Sequence, residues 1–198
     1  MTQPNLILIG MPGSGKTILG QALAQKLSLD FLDMDQEIER VSGRSVSEIF
    51  EEGEAAFRAL ESQLACELGQ AKGLIIATGG GVVKDPDNIK ALKKGGKVYF
   101  IDRPLDQISA DINSDQRPLL KGRLDQLQVL YQERYPLYQA AADFHIPNQG
   151  SLDQCLKTII TTYRKDGNHE IFNSYRPQSQ FLRHSGARYL WPNKFEAN

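Results

Sequence analysis

Residues 10–17 read Gly10-Met11-Pro12-Gly13-Ser14-Gly15-Lys16-Thr17. They match the pattern G-x-x-x-x-G-K-[ST], in which a glycine-rich loop wraps round a polyphosphate and points several backbone N–H groups at it. Side chains at the glycine positions would obstruct so close an approach. Lys16 would carry positive charge to the β- and γ-phosphates, and the Thr17 hydroxyl would bind magnesium. The stretch therefore predicts a site for a nucleoside triphosphate and Mg²⁺.

The residues on either side have the pattern that such a loop requires. An apolar run predicts a strand over about 5–9, and Leu19, Leu23 and Leu27 are spaced to share one face of a helix. This helix would add the positive end of its dipole to the same anion. Because both flanks fit, we favour a phosphate loop over a glycine-rich turn that contains a lysine by chance. The residues assigned to the nucleotide are Gly13, Ser14, Gly15, Lys16, Thr17 and Ile18.

Length and composition limit the class of protein. The chain has 198 residues, 40% of them hydrophobic, which is enough for one well-buried core and short for two. A formal net charge of −1 gives no general attraction to nucleic acid or to an anionic membrane. Cys66 and Cys155 lack metal-ligand spacing, and we expect both to be reduced thiols in the core. Without a signal-peptide pattern or an apolar run near the ~20 residues of a membrane span, we expect a soluble, cytoplasmic protein. We also expect it to be a monomer.

Short strands alternate with helices along the chain, which predicts an α/β fold with a five-stranded parallel sheet covered on both faces. Ser45, with Glu48 three residues later, predicts a capping box at a helix start. The last helix should carry Leu152, Leu156 and Ile159 on one face. The predicted strands lie at 5–9, 31–32, 74–77, 97–101 and 144–146, and helices are expected at 36–41, 86–94 and 124–141, among others.

Two stretches depart from this alternation. A helix opening at Pro104 should give way near Asp111 to the polar interval 112–118, which a proline closes, and this predicts a mobile flap. After about residue 165 the periodicity disappears and aromatic residues are scattered among Gly, Pro, Asn and Gln. A disordered tail and a segment that docks on the body or on a partner both remain open.

A second group of polar residues should lie beside the phosphate loop. Asp33 and Asp35 follow one strand, residues 79–81 are three glycines after another, and Arg58 and Glu61 share a helix face. The carboxyl ends of parallel strands meet at one edge of a sheet, so these groups should converge there. Taken alone, the aspartates could cap a helix and the Arg–Glu pair could be a solvated ion pair. Together they favour an enzyme that phosphorylates a small acceptor over a nucleotide switch, whose D-x-x-G and N-K-x-D motifs we do not find.

Further motifs carry a resemblance. They are Asp33-Met34-Asp35, Phe57-Arg58-Ala59-Leu60-Glu61, Thr78-Gly79-Gly80-Gly81, Arg117-Pro118-Leu119-Leu120 and Arg134-Tyr135-Pro136-Leu137-Tyr138. In this order and at these spacings, over about 5–163, the chain resembles the shikimate kinase family. The resemblance implies a P-loop domain of the nucleoside monophosphate kinase type over 1–164, with a substrate-binding helical region at about 33–61 and a lid at about 111–122. It leaves a tail at 165–198 of unknown role.

The resemblance also implies a reaction and the residues that perform it. ATP, with Mg²⁺, would give its γ-phosphoryl group to the 3-hydroxyl of shikimate, a carboxylate with three hydroxyls. Lys16, Asp33 and Arg117 would be catalytic, and Asp33 would be either the general base or, with Thr17, a magnesium residue. Arg117 on the lid would also contact the nucleotide, and Pro147 would stack on adenine. The implied acceptor residues are Asp35, Arg58, Glu61, Gly79, Gly80, Gly81, Arg134, Phe50 and Phe57.

The chain departs from the family just before the lid and in the tail. Residues 107–111 lack the arginine that commonly packs on adenine there. Two alternatives to a shikimate kinase are a gluconate or nucleotide kinase of the same fold and a nucleotide-binding partner protein that has lost catalysis. A nucleotide acceptor would need a base-reading pocket, whereas Arg58 with Arg134 suits a carboxylate. Retention of Lys16, Asp33, Asp35 and Arg117 argues against lost catalysis.

Overall fold

A computed structural model describes residues 3–115 and 121–166 of the chain. The five strands are β1 (Asn5–Ile9), β2 (Asp30–Asp33), β3 (Leu74–Ala77), β4 (Gly96–Asp102) and β5 (Phe144–Pro147). All pairings are parallel, in the order β2-β3-β1-β4-β5, which confirms the predicted sheet. β2 and β3 lie on one side of β1 and the later strands on the other. Such sheets bind ligands beyond the carboxyl ends of the strands where the order reverses.

Helices cover both faces of the sheet, as the alternating pattern predicts. Along β1, Leu6 and Leu8 point to one face while Ile7 and Ile9 point to the other, because successive side chains of a strand alternate. Within the described residues the helices are α1 (Lys16–Leu27), α2 (Met34–Ser42), α3 (Val46–Glu51), α4 (Glu54–Leu68), α5 (Pro86–Gly95), α6 (Leu105–Asp115), α7 (Lys121–Ala141) and α8 (Leu152–Lys165), with a 3₁₀ turn at Val82–Lys84.

The two faces bury separate cores. Helices α1 and α8 pack on the side of Leu6 and Leu8, where the predicted stripe of Leu19, Leu23 and Leu27 is fully buried. Helices α2, α4, α5 and α7 contribute to the core on the other side. The result is a three-layer arrangement of helices, sheet and helices. The capping box at Ser45 is confirmed, since its hydroxyl accepts from the Glu48 N–H and the Glu48 carboxylate accepts from the Ser45 N–H.

One of the two cysteines predicted to lie in the core does not. Cys66 is exposed, because it lies on the outer face of α4 while Leu64 and Ala65 take the inner face. Cys155 is buried as expected. On the predicted apolar face of α8, Leu156 and Ile159 are buried, whereas Leu152 in the first turn is 44% exposed.

The helix before the predicted flap is longer than expected. It continues past Asp111 to Asp115. Within this segment the Ser109 hydroxyl donates to the Leu105 carbonyl, and Asp111 pairs with Arg103 at 2.6 Å. Helix α7 likewise begins three residues before the predicted 124. The rest of the predicted flap, with Arg117, and the tail from 167 onward lie outside the described residues.

Among the described helices, none combines the length and the apolar character needed to cross a membrane.

Candidate active site

The loop between β1 and α1 has the backbone conformation that its glycines predict. Gly10, Gly13 and Gly15 have φ values of 148°, 78° and 92°, a region that residues with a Cβ rarely adopt. Lys16 folds back over the loop, and its Nζ donates to the carbonyls of Gly10 and Met11, at 2.9 Å each. The lysine thus engages two carbonyls of the loop, and a loop of this kind binds an anion with its backbone N–H groups.

Two side chains that sequence reasoning missed hold the loop from outside. Arg103, just after β4, donates from Nη1 to the Gly13 carbonyl at 3.0 Å. Asn148, just after β5, donates from Nδ2 to the Ser14 carbonyl at 3.0 Å. They were missed because they are 90 and 134 residues from their partners, and only the fold brings the strand ends together.

Asp33 joins the loop to the second strand. Its Oδ2 accepts from the Thr17 hydroxyl at 2.8 Å, while Oδ1 accepts from the N–H groups of Asp35 and Gln36. Asp33 is therefore the N-cap of α2. The capping alternative considered above for Asp35 is wrong, since Asp35 lies in the first helical turn.

The Thr17–Asp33 pair fits a magnesium site. A hydroxyl and a carboxylate are the hard oxygen ligands that Mg²⁺ prefers, and this ion usually takes only one or two protein groups, with water and substrate phosphates completing its shell. The described residues, 3–115 and 121–166, contain no group of three or more Asp, Glu, His or Cys side chains that could hold a metal by themselves.

Asp35 points a carboxylate into the space beside the loop. Its Oδ1 is buried and accepts no hydrogen bond within the described part of the chain. Burial, and then the charge of Asp33, raise the pKa of Asp35. A buried acceptor without a partner costs free energy unless something else pairs with it, so this oxygen is suited to a ligand hydroxyl.

Arg58 donates hydrogen bonds to two carboxylates, those of Glu54 and Glu61. Its Nη1 donates to Glu61 at 2.7 Å, and its Nε and Nη2 donate to Glu54 at 3.1 and 3.0 Å. Glu61 is 1% exposed, and burial raises its pKa against the opposing effect of Arg58. The Arg58–Glu61 pair is thus not the solvated ion pair that its spacing alone would allow.

The triple glycine is required by crowding. A Cβ at Gly79 would lie 2.8 Å from Asp35 Oδ1, and a Cβ at Gly81 would come within contact distance of the Arg58 guanidinium. A Cβ at Gly80 would collide with the ring of Pro12 in the phosphate loop. The glycine backbone therefore forms a shared wall between the phosphate loop on one side and Asp35 and Arg58 on the other.

Helix α7 closes the far side of the site. Arg134 donates from Nη1 to the Gly80 carbonyl at 3.1 Å, and the Tyr138 hydroxyl donates to the same oxygen at 2.5 Å. Tyr138 is fully buried and stacks on Phe100 of β4, which fixes this helix to the sheet. The sequence motif did not reveal this role of Tyr138.

These groups enclose a cavity of about 250 Å³ beside the phosphate loop. Phe50 and Phe57 stack at 4.8 Å between ring centroids and form its apolar wall. All nine predicted acceptor residues line it; the two lining residues that the sequence analysis omitted are Val46 and Glu54. The spacing of Glu54, four residues before Arg58 on one helix, was the available signal. The lining is Asp35, Val46, Phe50, Glu54, Phe57, Arg58, Glu61, Gly79, Gly80, Gly81 and Arg134.

Two other residues predicted to bind the nucleotide, Ile18 and Pro147, do not line this cavity. Ile18, on the first turn of α1, is 62% exposed. Pro147 is exposed at the end of β5, next to Asn148, which reaches the loop. Arg117 falls at 116–120, outside the described residues.

A phosphate loop with a lysine lies beside a separate cavity, which is lined by two guanidinium groups and by the carboxylate of Asp35. This arrangement defines a P-loop kinase that acts on a small molecule. A family model, "Shikimate kinase", matches residues 12–164. The chain is 43% identical over 154 residues to shikimate kinase of Clostridium botulinum (strain Alaska E43 / Type E3), covering 78% of this chain and 93% of that one. The chain belongs to the shikimate kinase family.

One more relative and one solved structure are also shikimate kinases. Shikimate kinase of Prochlorococcus marinus (strain MIT 9211) is 44% identical over 173 residues, covering 82% of this chain and 87% of that one. The structure of shikimate kinase from Acinetobacter baumannii in complex with shikimate superposes with a TM-score of 0.75 at 36% identity, covering 84% of this chain and 96% of that one. The fold expected from the resemblance is confirmed.

Proposed function

We propose that this chain transfers the γ-phosphoryl group of ATP to the 3-hydroxyl of shikimate, giving shikimate 3-phosphate and ADP for aromatic amino acid biosynthesis. The observation that carries this proposal is the pair Arg58 and Arg134 in one cavity that shares a glycine wall with the phosphate loop. Planar guanidinium groups suit a carboxylate, which accepts two parallel hydrogen bonds from such a fork.

The acceptor would be held at both ends. Arg58 and Arg134 would bind the carboxylate, while the unpaired oxygen of Asp35 would accept from ring hydroxyls, including the attacking one. Phe50 and Phe57 would lie beneath the ring, and Glu61 would orient Arg58. Fixing the hydroxyl in line with the γ-phosphate supplies much of the catalysis, because phosphoryl transfer depends on positioning.

The phosphate side would stabilise the charge that develops on transfer. Lys16 would move from the loop carbonyls to the β- and γ-phosphates, and Thr17 with Asp33 would hold Mg²⁺. When bound, this ion offsets phosphate charge. Asp33 lies at hydrogen-bond distance from Thr17, so general-base duty and metal binding both remain compatible with its position. The lid at about 111–122, with Arg117, would exclude water, and Pro147 would stack on adenine.

We further propose that the enzyme acts as a monomer in the cytoplasm, without a nucleic-acid or membrane partner. The near-neutral formal charge of −1 supports the last two points. Reduced thiols at Cys66 and Cys155 would suit that compartment. Gel filtration with light scattering tests the oligomeric state. A mass well above the 22.1 kDa of one chain would contradict a monomer.

A coupled ADP-release assay tests the function. The purified protein is given ATP and Mg²⁺ with shikimate, gluconate, a nucleoside monophosphate or no acceptor. We expect ADP release that depends on shikimate alone. Equal release with gluconate or a nucleotide would favour the alternative kinases, and release in none of the mixtures would favour the non-catalytic alternative.

Truncation tests the proposed domain limits. Because the family match ends at residue 164 and α8 ends at Lys165, a chain of residues 1–165 should retain kcat and both KM values within about 2-fold. Thermal unfolding provides the control for folding. A truncated chain that folds but has no activity would show that the tail belongs to the enzyme.

Gly81→Ala should damage the acceptor site selectively. Its φ of −103° suits alanine, so the new Cβ would act through contact with the Arg58 guanidinium rather than through backbone strain. We expect KM for shikimate to rise about 10-fold or more, with KM for ATP unchanged, because Arg58 must move. Gly150→Ala is the matched control, since its Cβ would meet only the end of the Gln154 side chain. An unchanged shikimate KM in Gly81→Ala would contradict the assignment.

The activity should fall on the alkaline side. Burial lowers the pKa of Lys16 to about 8, so the charged fraction of this side chain falls as the pH rises through that value. Since kcat/KM reports the free enzyme, kcat/KM for ATP should decline above about pH 8. In Lys16→Arg the guanidinium stays charged, so any residual activity should lack this alkaline decline. An identical decline in both proteins would exclude Lys16 as its source.

A further inference from the structure

Lys84 lies next to the cavity but does not line it. It ends the 3₁₀ turn that follows the triple glycine, and its N–H donates to the Gly81 carbonyl at 2.9 Å. Its Nζ donates to Glu54 Oε1 at 2.8 Å, thirty residues away in the sequence. Lys84 thus connects the glycine wall of the cavity to the first turn of α4.

The oxygen that Lys84 contacts is the one that holds Arg58. Glu54 Oε1 accepts from Nε and Nη2 of Arg58, and Glu61 accepts from Nη1. A guanidinium has five N–H donors. These three bonds leave one N–H on each terminal nitrogen, and a carboxylate can accept hydrogen bonds from both nitrogens of an arginine.

The residues that line the cavity include one more carboxylate than guanidinium group. Three carboxylates line it, those of Asp35, Glu54 and Glu61, against the guanidinium groups of Arg58 and Arg134. Hydrogen bonds from Lys84 and Arg58 hold the pKa of Glu54 at about 2, so Glu54 stays ionised at any working pH. An anionic acceptor would meet this carboxylate at the mouth of the cavity. The ammonium of Lys84 offsets its charge.

We propose that Lys84 is a positioning residue for the acceptor. Through Glu54 it fixes the Arg58 guanidinium and balances the carboxylate charge at the cavity, and so it sets the affinity for an anionic acceptor. This inference rests on the proposed function, because the anion in question is the shikimate carboxylate.

Steady-state kinetics of Lys84→Met and Lys84→Arg test this role. Methionine keeps much of the length of the side chain and removes its charge, whereas arginine keeps the charge. We expect Lys84→Met to raise KM for shikimate about 5- to 10-fold, with kcat and KM for ATP within about 2-fold of the wild type. Lys84→Arg should stay within about 2-fold in all three. The matched control is Lys90→Met, which removes an exposed pair with Asp87 on α5.

A double variant tests the route through Glu54. In a Glu54→Gln background, Lys84→Met should raise KM for shikimate by less than about 2-fold more, because its charged partner is already gone. The role of Lys84 would be overturned if Lys84→Met left KM for shikimate unchanged or raised KM for shikimate and for ATP equally. It would also be overturned if Lys84→Met raised KM for shikimate as much in the Glu54→Gln background as in the wild type. Wild-type protein that does not turn over shikimate would overturn the proposed function itself, and with it this inference.

Discussion

Arg58→Ala is expected to lower kcat/KM for shikimate by about 10²- to 10³-fold, with nucleotide affinity close to that of the wild type. Removing one member of a hydrogen-bonded charge pair costs about 2–5 kcal/mol when the partner is left buried and unpaired. Here the variant would lose the proposed carboxylate contact and leave Glu61, which is 1% exposed, without its cation. Shikimate-dependent ADP release and calorimetric titration with ATP measure the two effects separately.

Arg40→Ala is the matched control for this change. Arg40 pairs with Glu37 on α2 at the same three-residue spacing and at 2.6 Å, and it does not line the cavity. Its removal should leave both KM values within about 2-fold. Arg58→Lys keeps the charge but loses the fork, so we expect it to recover only a small part of the activity. Turnover in Arg58→Ala equal to the wild type would remove the acceptor-site assignment.

Lys16→Met is expected to lower kcat by about 10²- to 10³-fold, the range found when one preorganised donor to a developing negative charge is deleted. The lysine is 8% exposed and lies over the phosphate loop, where it would meet the β- and γ-phosphates. Shikimate binding, measured by calorimetry in the absence of nucleotide, should change less than about 2-fold. The loss would then lie in the phosphoryl transfer step and in nucleotide binding.

Lys26→Met provides the comparison on the same helix. Lys26 is exposed in the last turn of α1, at the opposite end from the loop. Kinetics within about 2-fold of the wild type are expected there. If Lys16→Met kept its kcat, or if shikimate binding were lost along with it, the separation of a phosphate side from an acceptor side would fail.

Elements with a strong local signal were predicted well. The strand at Asn5–Ile9, the apolar face of α1 and the capping box at Ser45 each depend on residues within a few positions of one another. The end of α6 was predicted less well. Its polar residues suggested a loop from Asp111, but a pair with Arg103, eight residues earlier, supports further helix.

The nine predicted residues that line the cavity could be named from the sequence because motifs in a fixed order carried a family resemblance. Charge spacing alone left Arg58 and Glu61 as a possible surface pair, and burial of Glu61 decides against that. Glu54 and Lys84 could not be recognised as neighbours. They are thirty residues apart, and their contact exists only because the turn after β3 lies against the first turn of α4.

The sequence by itself determined the phosphate loop, the alternation of strands and helices and the residue types of both sites, because these depend on glycine conformation and short-range periodicity. The tertiary structure alone decided that Asp33 caps α2 while Asp35 keeps a buried oxygen unpaired within the described residues. It alone brought Arg103 and Asn148 to the loop and Lys84 to Glu54. Such pairings depend on which strand ends become neighbours, and that follows from burying two apolar faces of one sheet.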